Sequence, residues 1–146
     1  MANVYVSTVI DAPADTVWAR VRNFNGMPQW HPAIADSRIE NGEPADRIGC
    51  IRHFHTRDGG TIRERLLALS DYEYSCTYAI LESPMGVENY VATLKFTPVT
   101  DGARSFAEWS AEFDCAEARE RELTELIGNG VFQGAFDALK RHFGGR

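Results

Sequence analysis

The stretch "AEARERELTELIGNGVFQGAFDALKRHF" (residues 116–143) has the pattern of a long helix whose apolar side the rest of the chain must cover. Its apolar residues recur at helical spacing and form one broad side: Leu123, Leu126, Ile127, Val131, Phe132, Ala135, Phe136, Leu139 and Phe143. A helix with so wide an apolar side needs a large surface to pack on. Gly128, Gly130 and Gly134 each cost about 1 kcal/mol relative to alanine. They predict a kink or close packing where the helix passes a cavity, or simply tight contact between helix and sheet.

The large surface is predicted upstream as a sheet. Asn3–Ile10 has the pattern of a strand, and six more strands are predicted at about 34–41, 47–57, 61–70, 73–81, 88–98 and 104–114. Turn signals such as "NGEP", "RDGG" and "TDGA" keep the connections short, which favours antiparallel pairing. Between the first two strands, a helix begins at Pro13, and "GMPQWHP" allows only one further turn. We therefore expect an α+β fold, in which a curved seven-stranded antiparallel sheet wraps around the C-terminal helix, with two short helices after the first strand.

Composition limits the class of protein. With 146 residues and 44% hydrophobic content, we expect one domain spanning 1–146. The net charge of −6 opposes binding to nucleic acid or anionic membranes. The N-terminus has no leader pattern and no apolar run approaches about 18 residues, so we expect a cytoplasmic protein without membrane insertion. Three widely spaced cysteines predict reduced thiols, and the sequence calls for no cofactor.

Alternation along the strands predicts which side chains face inward. In 104–114, Trp109 and Phe113 share a face with two alanines and oppose Glu108, Ser110 and Glu112. In 88–98 the even positions form the apolar face, and in 73–81 the even positions are the more aromatic: Tyr90, Ala92, Leu94 and Phe96, then Tyr74, Cys76, Tyr78 and Ile80. We expect these faces to line the sheet's concave side.

The hairpin "GCIRHFHTRDGGTIRERLLAL" (residues 49–69) carries charge on both faces. If Asp58-Gly59-Gly60 is a three-residue loop, Arg57 pairs with Thr61 and Arg52 lies diagonal to Glu64. This register places one set inward, Arg52, Phe54, Thr56, Ile62, Glu64 and Leu66, and another toward water, His53, His55, Arg57, Arg63 and Arg65. The two sets imply an enclosed ion pair and a solvated outer face.

Several segments together resemble a known superfamily. "APADTVWARVRNFNGMPQWHP" (12–32), "IGCIR" (48–52), "RERLLALSD" (63–71) and "NYVATLKFTPV" (89–99) are similar to START and Bet v 1-like (SRPBCC) helix-grip proteins. Within these, the chain most resembles the bacterial polyketide cyclase/dehydrase and lipid-transport group. The resemblance covers nearly the whole chain and implies the same helix-grip fold.

A more distant resemblance links residues 64–90 to the plant abscisic-acid receptors. It implies a set of cavity-facing residues: Phe54, Thr56, Ile62, Glu64, Tyr78, Ile80, Val87, Tyr90, Ala92, Leu123, Ile127 and Val131. The chain also departs from those receptors, since their pocket lysine corresponds to Ala35, their gate is replaced by "RDGGTI", and their latch falls on Met85-Gly86-Val87. Hormone binding through a lysine and inhibition of a phosphatase are therefore not predicted.

Glu64 is the candidate catalytic residue. A carboxylate among apolar neighbours must be paired, hydrogen-bonded or protonated, and Arg52 is the available partner. The pair is either structural or a group that orients a ligand or moves a proton. Tyr78 and Tyr90 are either polar contacts for a ligand or core tyrosines bonded to the backbone.

His53 and His55 have a spacing that some metal sites use. We expect no metal, because arginines face them in the predicted register and no acidic residue or cysteine is placed to complete the ligands. His31, between Trp30 and Pro32, is predicted to pack its loop and not to act as a base.

Three functions stay open at this point. The first is binding of a small, largely hydrophobic ligand (lipid-, polyketide- or aromatic-like) in a cavity between sheet and helix, contacted by Arg52, Glu64, Trp109 and the residues that the resemblance implies. The second is a cyclase, dehydratase or isomerase that uses Glu64 as general acid/base. The third is a partner-binding regulator. The chain is expected to be a monomer or homodimer.

Overall fold

The computed structural model describes residues 1–144, so the last two residues of the predicted domain lie outside the described part. Seven antiparallel strands form one sheet in the order β1-β7-β6-β5-β4-β3-β2. Their bounds are β1 Ala2–Ile10, β2 Ile34–Ile39, β3 Ile51–Thr56, β4 Thr61–Ser70, β5 Ser75–Glu82, β6 Glu88–Val99 and β7 Arg104–Asp114. The curved sheet and the long helix confirm the predicted α+β helix-grip fold.

Two short helices connect the edge strands β1 and β2. Helix α1 spans Ala14–Val21, and Met27–Gln29 form a 3-10 turn with Pro28 near its start. Val17, Trp18 and Val21 of α1 are buried, as their helical spacing predicts. The Trp18 indole N–H donates to Asp71 Oδ1 at 2.7 Å, which fixes α1 over the turn between β4 and β5.

The C-terminal helix is continuous but not uniform. After a 3-10 turn at Glu117–Arg119, α2 spans Glu120–Glu125, a π-helical segment spans Leu126–Phe132, and α3 spans Gln133–His142. A Cβ on Gly128 would lie 3.4 Å from Val4 Cγ1, so this glycine allows the helix to approach β1 closely. On the inner side, Phe132 stacks on Trp109 of β7 with ring centroids 4.8 Å apart. The glycines therefore coincide with an irregular, closely packed part of the helix.

The predicted register of the β3–β4 hairpin is wrong by two residues. Arg52 lies directly opposite Glu64, and Phe54 opposite Ile62. Arg57 leaves the ladder because its backbone N–H donates to Ala33 O, while Thr56 N–H donates to Gly60 O, so the loop is shifted by one residue toward the N-terminus. A shift of two residues keeps the side chains of the paired strands on their predicted faces. Arg57, which was predicted to face water, instead lines the mouth of the cavity described below, because it has left the ladder.

Two strands begin later than predicted. Arg47–Cys50 form a turn, closed by a hydrogen bond from Cys50 N–H to Arg47 O, so β3 begins at Ile51 and not at residue 47. Tyr74 has a φ of 55°, which is outside the extended region, so β5 begins at Ser75. Neither change moves an inward-facing side chain to the other face.

Candidate ligand-binding cavity

A cavity of about 520 Å³ lies between the concave side of the sheet and the C-terminal helix. Its volume is within the range of small-molecule sites. The lining residues come from β2 to β7, from the C-terminal helix, and from the connections α1–β2, β3–β4 and β5–β6: Met27, His31, Ala33, Ile34, Arg52, Phe54, Thr56, Arg57, Asp58, Ile62, Glu64, Tyr78, Ile80, Met85, Tyr90, Trp109, Leu126, Gly130, Val131 and Ala135.

The lining divides into a buried inner end and a solvent-facing rim. Tyr78, Tyr90 and Trp109 are buried, as are Arg52 and Glu64. Leu126 and Val131 of the helix are 46% and 38% exposed, and Asp58 in the β3–β4 loop is also exposed. The cavity therefore opens to solvent between the helix and that loop, and its charged pair lies deep.

Arg52 and Glu64 form that pair. Arg52 Nε donates to Glu64 Oε1 at 2.7 Å, and Arg52 Nη2 lies 2.6 Å from the same oxygen. Arg52 Nη1 also donates to Phe24 O at 3.2 Å. The guanidinium carbon lies 4.0 Å from the centroid of the Phe24 ring and 5.1 Å from that of Tyr78. Cation–π contact, ion pairing and the backbone bond together hold this arginine in place.

The second oxygen of Glu64 is the unusual atom of the cavity. Within residues 1–144, Oε2 accepts no hydrogen bond, yet it is not sealed from solvent as a buried unpaired atom would be. Since Glu64 lines the cavity, Oε2 presents its free surface there. Burial raises the pKa of the Glu64 carboxyl, and the charge and hydrogen bond of Arg52 oppose the rise. The site thus offers a proton acceptor in an apolar surrounding.

Aromatic hydroxyl groups lie around this carboxylate. The Trp109 indole N–H donates to Tyr78 Oη at 3.1 Å. Burial raises the pKa of Tyr78 and Tyr90 well above that of free tyrosine, and the charge of Glu64 raises the pKa of Tyr90 further. Both tyrosines are therefore neutral hydroxyl groups at physiological pH.

The rim is built by two loops bonded to each other. Arg57 Nε donates to Pro32 O at 2.6 Å, and the Thr56 hydroxyl bonds to the Asp58 carboxylate. Ala33 N–H donates to His31 Nδ1 at 3.3 Å, while burial lowers the pKa of His31, so its neutral form carries the proton on Nε2. His31 stacks on Trp30, as expected of a loop-packing residue, but it also lines the cavity.

Most of the residues predicted to contact a ligand line this cavity: Arg52, Phe54, Thr56, Ile62, Glu64, Tyr78, Ile80, Tyr90, Trp109 and Val131. Four do not. Leu123, Ile127 and Ala92 are buried in the core, and Val87 is partly buried beside it. The role of the lining residues in binding stays a prediction.

Sequence reasoning missed the helix residues Leu126, Gly130 and Ala135, which line the cavity in place of Leu123 and Ile127. The π-helical segment changes which side of the helix faces the cavity, because its hydrogen bonds span five residues and not four. The glycines at 128 and 130 were the available signal. Met27 and Met85 were missed because the packing of connecting segments has no periodic pattern, and Ile34 was missed although it begins β2.

His53 and His55 each have an acidic neighbour that the sequence pattern does not reveal. His55 Nδ1 lies 2.7 Å from Asp36 Oδ1, and His53 Nδ1 lies 3.3 Å from Glu40 Oε2, both acids being contributed by β2 and the turn after it. Arg63 also bonds to Glu40, with Nε 2.6 Å from Oε2. Among residues 1–144, no group of three or more His, Cys, Asp or Glu is arranged to hold a metal ion.

Two further features bear on the class of protein. Cys50, Cys76 and Cys115 are all free thiols. Over residues 1–144, each helix is too short or too polar to cross a membrane.

Fold and sequence together define the family. The model of the family described as "Polyketide cyclase / dehydrase and lipid transport" matches residues 1–144. The chain belongs to this family, within the START and Bet v 1-like (SRPBCC) superfamily, which confirms the resemblance found in the sequence. Family and fold suggest binding of a small-molecule ligand.

Solved structures agree with this assignment. The protein XoxI from Bacillus cereus is 33% identical with a TM-score of 0.87, over 98% of this chain and 96% of that one. A protein from Thermobifida fusca is 30% identical with a TM-score of 0.87, over 99% and 94% of the two chains. A START superfamily protein from Mycobacterium smegmatis, 13% identical with a TM-score of 0.80, shares the fold over 99% and 98%.

Among curated proteins, the abscisic acid receptor PYL7 of Arabidopsis thaliana is similar to this chain. The two are 32% identical over 99 residues, which make up 66% of this chain. The match spans 46% of the receptor, so less than half of that protein is represented.

Proposed function

We propose that this protein binds a small, largely hydrophobic molecule in the cavity between the sheet and the C-terminal helix. The observation that carries the proposal is the cavity itself, about 520 Å³ with a mostly apolar lining and one charged pair at its inner end. Ligand sites in proteins typically combine such an apolar wall with few polar groups. The similarity to an abscisic acid receptor supports a cavity ligand, but the alanine at position 35 favours a different polar contact.

A cavity-filling variant tests the proposal. Ile62 lines the cavity on β4, whereas Leu67 on the same strand is 40% exposed. Ile62→Trp removes space from the site, and Leu67→Trp is the matched control outside it. The neutral apolar dye N-phenyl-1-naphthylamine reports binding by its fluorescence.

We expect the unchanged protein and Leu67→Trp to bind the dye with equal affinity and one-to-one stoichiometry, and Ile62→Trp to lose at least about 10-fold. Native mass spectrometry of freshly purified protein should also show a co-purified small molecule in the first two. Equal dye binding by all three proteins, or none by any, would refute the proposal.

One observation favours a second function, proton transfer on a bound carbonyl compound. Glu64 Oε2 is unpaired at the cavity surface and burial raises the pKa of its carboxyl, as a general base requires. The test is exchange of the α-protons of 2-tetralone for deuterium in D₂O, followed by NMR. Catalysis predicts faster exchange with the protein, lost in Glu64→Gln but retained in Glu112→Gln, which changes an exposed carboxylate on the outer face of β7. Exchange at the uncatalysed rate would rule it out.

A further inference from the structure

The polar groups at the inner end of the cavity are not equally available to a ligand. Among the described residues, Arg52 is the only cation in the buried part of the lining, since Arg57 lies at the exposed rim. The charge of Arg52 is paired with Glu64, and Nη1 also donates to Phe24 O. An acidic ligand therefore finds no free positive charge there. It would instead approach Glu64, and two carboxylates at close range repel each other.

In the described part of the chain, the charged acceptor without a hydrogen-bond partner in this region is Glu64 Oε2. Arg52 Nε and Nη2 both lie against Oε1, while no residue of 1–144 donates to Oε2. A ligand atom that reaches it must bring a hydrogen. A ligand ammonium is disfavoured because the Arg52 guanidinium already occupies the aromatic surroundings as a cation, over Phe24, Phe54 and Tyr78. A neutral O–H group is not repelled by the Glu64 carboxylate, and it adds no second cation beside Arg52.

We propose that the cavity selects its ligand by a hydroxyl hydrogen donated to Glu64 Oε2, so that the ligand class is a hydrophobic phenol or alcohol and not a hydrophobic carboxylate. This inference rests on the function proposed above. Hydroxyl groups also accept hydrogen bonds, and the buried Tyr78 and Tyr90 hydroxyls share the inner wall with Glu64. The surrounding rings of Phe54 and Trp109 suit an aromatic or polycyclic body.

A panel of ligands with one ring system tests the selection: naphthalene, 2-naphthol, 2-methoxynaphthalene and 2-naphthoate, each titrated by calorimetry at pH 7.5. A hydrogen bond to a charged group corresponds to about 10- to 100-fold in affinity. We expect 2-naphthol to bind more tightly than the methyl ether by that factor, and the carboxylate to bind no better than naphthalene.

Glu64→Gln supplies the matched change. To keep Arg52 bonded, the glutamine must turn its carbonyl oxygen toward the guanidinium and its NH₂ toward the cavity, which replaces an acceptor by a donor. The advantage of 2-naphthol over its methyl ether should then fall to within about 3-fold, and 2-naphthoate should gain affinity because the opposing charge is gone. Glu112→Gln should keep the original order.

The outcomes separate the two proposals. Binding of 2-methoxynaphthalene or 2-naphthoate as tight as that of 2-naphthol overturns the hydroxyl selection and leaves the hydrophobic site standing. Absence of binding by all four compounds overturns the proposed function and, with it, this inference. Because the panel is measured on the unchanged protein, the result stands even if Glu64→Gln fails to fold.

Discussion

Arg52 and Glu64 lie directly opposite each other on β3 and β4, and two guanidinium nitrogens meet one carboxylate oxygen at 2.6 and 2.7 Å. Breaking a buried pair by removing one partner typically costs 3–5 kcal/mol. Because this pair borders a cavity, we expect Arg52→Met to lower the free energy of unfolding at pH 7 by roughly 2–4 kcal/mol. The loss should shrink as the pH falls, since the unpaired Glu64 then takes up a proton. Urea denaturation measures both effects.

The double variant Arg52→Met with Glu64→Gln is the control for this pair. It removes both charges, so we expect it to be more stable than Arg52→Met alone at pH 7. If both variants lose the same free energy at every pH, the ion pair contributes nothing specific to stability.

Glu40 and Arg63 should produce a pH-dependent contribution on the opposite face. The hydrogen bond from Arg63 is the main cause that lowers the pKa of Glu40 to about 2, below its ordinary value of 4.5. A lowered folded pKa means that the stabilisation is complete above about 4.5 and is lost as the pH falls toward 2. We expect Glu40→Gln to lower the free energy of unfolding by about 1 kcal/mol at pH 7, allowing for solvent screening, and the difference to vanish near pH 2.

Calorimetric unfolding of both proteins between pH 2 and pH 7 checks the sign. Glu112→Gln is the comparison, because that carboxylate is exposed on the outer face of the sheet. A Glu40→Gln deficit that grows on acidification would contradict the assigned pKa shift.

The parts of the fold that could be predicted are those in which apolar and polar residues alternate with a strict period. In β7, Trp109 and Phe113 alternate with glutamates and a serine, and the structure buries both aromatic residues. A shift of the register by two residues leaves each side chain on the same face of the sheet. Phe54, Ile62 and Glu64 were therefore predicted on the correct face, although their cross-strand partners were wrong. The alternation along a strand therefore predicts which face of the sheet a side chain lies on more reliably than which residue of the next strand it pairs with.

The parts that were not predictable depend on contacts between distant segments. The hairpin register follows from Arg57 bonding to Pro32 and Ala33 in another loop, which no local pattern in residues 49–69 encodes. The cavity side of the helix follows from a π-helical segment, so Leu126 and Gly130 replaced Leu123 and Ile127. The acidic partners of His53 and His55 come from β2 and the turn after it, and β2 pairs with β3 in a register that turn signals alone did not reveal.

Gly134 offers a stabilising substitution. It lies near the start of α3, its φ is not in the left-handed region, and an added Cβ would meet nothing within 4 Å. Gly134→Ala should therefore raise the free energy of unfolding by up to about 1 kcal/mol and the Tm by about 2–4 °C. Scanning calorimetry measures the change.

Gly86 is the contrasting position. Its φ is +83°, and a Cβ would lie 2.6 Å from Arg119 Nη1, which donates to Met85 O. Gly86→Ala should therefore lower the Tm. Equal effects from the two substitutions would show that backbone conformation does not distinguish these glycines.

The thiol of Cys76 should be inert in the folded protein. Burial raises its pKa to about 11, and the charge of Arg52 only partly opposes the rise. At pH 8 about one thousandth of this group is thiolate, the form that reacts with alkylating agents. Iodoacetamide at pH 8 should therefore leave Cys76 unmodified in native protein and label it in urea, as peptide mass spectrometry can measure. Cys115→Ser, which removes a partly exposed thiol, is the control for cross-reaction. Native labelling of Cys76 at the rate of a free thiol would show that its surroundings admit water and reagent.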